Sequence, residues 1–94
     1  MKTVLVSIFD RKGEIYFPIH QTKSPAVAIR EFQSQCEDKN SPFNKFPNDY
    51  CLCIFGEMDN ETAKFNLFKE PKILAEATNM IIKDEGEIIN GKKN

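Results

Sequence analysis

Two six-residue runs in this chain, Val4-Leu5-Val6-Ser7-Ile8-Phe9 and Tyr50-Cys51-Leu52-Cys53-Ile54-Phe55, carry apolar side chains at both odd and even positions. Successive side chains of a strand point to opposite faces, so each run reads as a strand buried on two sides. A chain with two such strands needs cover above and below its sheet.

One segment between them supplies a cover. Ser24 offers an N-cap hydroxyl and Pro25 suits the first helical position, and Ala28, Ile29, Phe32 and Cys36 then recur at helical spacing. The spacing predicts a helix over residues 25–37, with Ile29 and Phe32 facing the sheet. Asp10-Arg11-Lys12-Gly13 suits a type I turn with a left-handed glycine, returning the chain as a strand over residues 14–17 that Pro18 stops. The two prolines and the Asn, Ser and Asp content of residues 40–49 predict a loop, and residues 56–62 an acidic turn. Ala63, Phe65 and Leu67 alternate with polar residues as a half-exposed fourth strand. Ile73, Leu74, Ala77 and Ile81 fall at helical offsets and suggest a second short helix, although residues 79–82 read equally as a strand.

The expected fold is therefore α+β: a small antiparallel sheet of about four strands, one main helix on one face, and a short C-terminal helix or strand. Pairing of the first strand with the second and the third with the fourth is expected, with the helix crossing between. Ninety-four residues suit one domain, assigned to residues 1–82, with a flexible polar tail over 83–94. One helix cannot cover both faces, so either the C-terminal segment or a second copy must complete the core. A homodimer is one of these two ways to complete it.

The chemistry-bearing residues are sparse. His20 has no local partner for a nucleophile. Cys51-x-Cys53 with Cys36 and His20 contains the parts of a Cys₃His zinc site, but C-x-C on a flat strand lacks the knuckle that wraps an ion, and buried cysteine packs as a small hydrophobe. Glu57, Asp59 and Glu61 are not followed by a calcium-loop pattern, and the four glycines lie too far apart for a phosphate loop. Neither catalysis nor a metal or cofactor is expected. No stretch approaches the length of a membrane span. Three cysteines without framework spacing fit a reducing compartment, so a cytoplasmic protein is expected.

A binding surface remains. Phe43, Lys45, Phe46 and Tyr50 place rings beside a cation, the combination that holds single-stranded nucleic acid by stacking and phosphate contact. Arg11, Lys12 and Arg30 could extend such a track; the alternative is that Phe43 and Phe46 fold back onto the core. The net charge of −1 argues against strong phosphate binding. It is unevenly spread: residues 1–47 hold seven Lys/Arg against five Asp/Glu, net +2, and residues 48–94 six against nine, net −3.

Ser7-Ile8-Phe9-Asp10, Ala28-Ile29-Arg30-Glu31-Phe32, Lys45-Phe46-Pro47-Asn48-Asp49-Tyr50, Leu52 and Gly56-Glu57-Met58-Asp59 occur in an order and spacing that resembles the small non-structural protein of gokushovirus-type microviruses, phages with single-stranded DNA genomes. The resemblance covers roughly residues 1–68. It implies a viral, DNA-binding protein of bacteriophage DNA replication or packaging. Phe46 stands where that family often has a histidine, so a polar or metal role does not carry over there. The rival expectation is a dimeric adaptor contacting a phage replication or capsid protein through a strand edge or an apolar sheet face.

Overall fold

The computed structural model describes residues 1–81. Strand β1 (Lys2–Asp10) is the centre of an antiparallel sheet. Strands β2 (Ile15–Tyr16) and β3 (His20–Thr22) pair with one edge of β1, and β4 (Tyr50–Asp59) pairs along the other. Strand β5 (Phe65–Glu76) follows outside β4. The described residues therefore form five strands with an α+β arrangement. Pairing of neighbours in sequence holds for β1 with β2 and for β4 with β5.

Several local expectations change. The returning strand β2 stops before Pro18 as expected, closed by the Phe17 amide donating to the Ile8 carbonyl at 2.8 Å, but the chain then rejoins β1 at His20, so His20 lies on a strand rather than in a loop. The left-handed residue of the first turn is Glu14 (φ 57°), not Gly13. The turn itself is held by Asp10, whose Oδ1 accepts from the amides of Lys12 at 3.0 Å and Gly13 at 3.1 Å. Strand β4 continues through the expected acidic turn to Asp59, whose carboxylate accepts from the Glu61 amide at 2.9 Å. That bond, helped by the amino terminus, holds the Asp59 carboxyl below its ordinary value.

The second helix is replaced by the long strand β5, followed by a 3-10 turn over Ala77–Asn79. The register of β4 on β5 shifts between Leu52 and Cys53, so both Leu74 and Ala75 turn toward the core while Ile73 turns away. A bulged strand thus imitates helical spacing. A second shift opposite Phe55 loops out residues 68–71 and accommodates Pro71 on the edge strand. The tail expected from residue 83 lies outside the described residues.

Helix α1 spans Pro25–Glu37, as its signals require: Ser24 Oγ accepts from the Val27 amide at 3.2 Å, and Pro25 opens the first turn. It buries Ala28, Phe32 and Cys36 against Val4, Val6, Ile8, Leu52 and Ile54. Ile29 packs at the margin. Burial of a side chain the size of Phe32 stabilises the fold by roughly 1.5–3 kcal/mol. The residues of β1 and β4 that alternate with these, Ser7, Phe9, Cys51 and Cys53, belong to the opposite face.

Candidate nucleic-acid interface

The segment expected as a loop folds into two turns. Ser41 caps a one-turn helix, α2 (Pro42–Lys45), accepting from the Asn44 amide at 3.2 Å. Ser41 Oγ also donates to the Gln35 carbonyl at 2.6 Å, and Asn44 Nδ2 donates to the Cys36 carbonyl at 2.8 Å. These bonds moor α2 to the last turn of α1. A 3-10 turn over Pro47–Asp49 then leads into β4.

This geometry sends the two loop phenylalanines in opposite directions. Phe43 sits inside α2 and is 6% exposed, its ring 5.9 Å from Phe32, 5.7 Å from Phe17 and 4.9 Å from Tyr50. Phe46 ends α2 with a non-helical backbone (φ −131°, ψ 60°), which turns its ring out of the core to 59% exposure. Phe43 is thus a core residue, its ring occupied by packing. Phe46 is available for stacking.

Asp10, Lys12, Phe46, Asp49 and Tyr50 line an open cleft of about 350 Å³ at the end of the sheet. Tyr50 forms its anchored wall, held edge-on against Phe43 and Phe17. Burial, and then the carboxylates of Asp10 and Asp49, push the Tyr50 phenol up, so it remains a neutral donor and acceptor. Lys12 is carried to the rim by the Asp10 turn, whose backbone is tied across by the Arg11 amide donating to the Asp49 carbonyl at 2.8 Å. Lys45, exposed at the end of α2, precedes Phe46.

The predicted basic track is not assembled. The Arg11 guanidinium donates to Glu76 Oε2 at 2.7 Å and to the Asn48 carbonyl at 3.1 Å, and this carboxylate bond pushes its pKa up. Arg30 is exposed on α1 and does not line the cleft. Of the seven residues expected to bind nucleic acid, Lys12, Phe46 and Tyr50 converge, Lys45 adjoins them, and Arg11, Arg30 and Phe43 are placed elsewhere. Sequence reasoning missed the carboxylates of Asp10 and Asp49, which outnumber Lys12 among the residues that line the cleft.

It also missed an aromatic row on the sheet face turned away from α1. Phe9 and Tyr16 are cross-strand partners with ring centroids 4.6 Å apart, and Phe55 lies 5.2 Å from Tyr16. Cys51 and Cys53 are buried on β4 with their sulfurs 3.8 Å apart, whereas Cys36 belongs to the helix-covered core. The sheet separates Cys36 from the pair, so the three thiols cannot converge on one ion. A further aromatic–cation contact occurs in the looped-out part of β5, where Lys72 Nζ lies 4.7 Å from the Phe68 ring centroid.

Among the described residues, no helix is long and apolar enough to cross a membrane. No curated protein and no solved structure matches the chain. A family model described as phage ORF5 protein matches residues 3–80, which include the whole sheet from Thr3 onward, helix α1 and every residue of the cleft. By that match the chain belongs to the phage ORF5 protein family.

Proposed function

We propose that this phage protein binds single-stranded DNA at the Lys12–Phe46–Tyr50 cleft, as a non-enzymatic component of genome replication or packaging in the cytoplasm of the host of a gokushovirus-type microvirus. The observation that carries the reading is the exposed Phe46 ring beside a core-anchored Tyr50, with Lys12 and Lys45 at the same end of the molecule. A base stacks on a ring whatever its identity, and phosphates are met by lysine. The carboxylates of Asp10 and Asp49 keep phosphates at the rim and leave the interior of the cleft to the base. Two lysine–phosphate contacts on a single strand give a dependence of log affinity on log salt with a slope of about −1.4.

Fluorescence anisotropy of a labelled oligonucleotide, repeated at several salt concentrations, tests this. Binding that weakens with salt at about that slope supports the reading, and no binding at low salt refutes it. A second reading, an adaptor contacting a phage replication or capsid protein, is favoured by the aromatic and apolar sheet face opposite α1. It requires an association that salt does not weaken.

A further inference from the structure

We infer that the sheet face turned away from α1 is an interaction surface and that its occupant is a second copy of this chain. Cross-strand partners share a face, so the register places Phe9, Tyr16, Phe55, Phe65, Leu67 and Ile73 together on it. Phe65, Leu67 and Ile73 are 62%, 60% and 57% exposed, and Tyr16 is 40% exposed. Aromatic side chains bring roughly 150–250 Å² each, so these residues offer on the order of 500 Å² per copy, or about 1,000 Å² for a pair, the size at which stable interfaces begin.

Charge selects the second copy as the occupant. A two-fold contact sets each patch against its own copy, so a patch with a net charge would repel its partner. Among the described residues, the register puts Glu76 at the end of this face, where Arg11 neutralises it at 2.7 Å. The edge of β5 is unsuited to joining copies: residues 68–71 loop out of register, and Lys69, Glu70, Pro71 and Lys72 interrupt the ladder that another strand would extend. Two copies therefore meet face to face, as the sheets of a sandwich do. Asp10 and Tyr50, one residue out of phase with Phe9 and Cys51, belong to the other face, so the pairing leaves the cleft open. This inference does not depend on DNA binding.

Sedimentation equilibrium of the full chain at micromolar concentrations, in low and high salt, tests it. The expected mass is twice 10.8 kDa in both. Leu67→Glu and Ile73→Glu, at exposed positions on the face, should each weaken association at least about tenfold while leaving the far-ultraviolet circular dichroism spectrum unchanged. Ile15→Glu, on the opposite face and 61% exposed, should leave the dimer intact. A wild-type monomer throughout the range overturns the inference and leaves the face to a different protein. So does a dimer that persists in both folded face variants.

Discussion

Arg11 and Glu76, sixty-five residues apart in sequence, are joined by a 2.7 Å charge-assisted hydrogen bond that ties the first turn to the end of the edge strand. Arg11 is one of the cations that the sequence offers to DNA, and the fold has given it to a carboxylate. An exposed pair of this kind contributes about 1 kcal/mol or less. Arg11→Ala is therefore expected to leave single-stranded DNA affinity within about twofold, whereas Lys12→Ala and Lys45→Ala should each make the salt slope shallower by about 0.7. Parallel anisotropy titrations separate the three.

Phe43 and Phe46 are three residues apart and do unrelated work. Phe43→Ala empties a buried site and should cost about 3–5 kcal/mol of stability. Phe46→Ala should leave stability within about 0.5 kcal/mol and cost about 1–3 kcal/mol of DNA binding. Urea denaturation of both variants, with titration of the Phe46 variant, distinguishes these outcomes.

Backbone geometry makes opposite demands at two positions around the β4–β5 connection. Gly56 has φ 152°, and a Cβ there would collide with the Asn66 carbonyl oxygen and come within 2.7 Å of the Leu67 Cα. Gly56→Ala should cost about 2–4 kcal/mol, from strain and overlap together. Ala63 is held at φ 61° in the following turn, a conformation that glycine adopts freely. Ala63→Gly should stabilise by about 0.5–1 kcal/mol, offset in part by the freedom that glycine adds to the unfolded chain. Thermal melts of the two variants should shift in opposite directions.

Burial pushes the Cys36 thiol up to about 11, and burial together with the neighbouring Cys51 pushes Cys53 up as well. At pH 8 only about one Cys36 in a thousand is thiolate, the reactive form. An aromatic disulfide reagent should therefore label the folded protein slowly, and label Cys36, Cys51 and Cys53 promptly in denaturant. Rapid labelling of the folded chain would contradict the burial.

Helix α1 is legible to the residue because Ser24, Pro25 and the apolar stripe all act locally. The two-sided runs likewise identify β1 and β4. What escaped notice depends on register, which is a property of strand pairs: the bulge opposite Cys53 turned β5 into an apparent helix, and the glycine bulge at Gly56 passed for a turn. The cleft was half legible. Phe46 and Tyr50 stand out as rings near lysines, but which of Phe43 and Phe46 faces solvent is decided by the non-helical backbone that ends α2. The capture of Arg11 by Glu76 was not legible, since it requires β5 to end beside the first turn.

On the proposed reading, single-stranded DNA occupies the cleft and not the open sheet face. Backbone amide chemical shifts of isotope-labelled protein titrated with a thymidine oligonucleotide test this most directly. Shifts concentrated at Lys12, Phe46, Asp49 and Tyr50, with Leu67 and Ile73 unmoved, are the expected result. An unchanged spectrum, or shifts confined to β5 and the Phe9–Tyr16–Phe55 row, would contradict it.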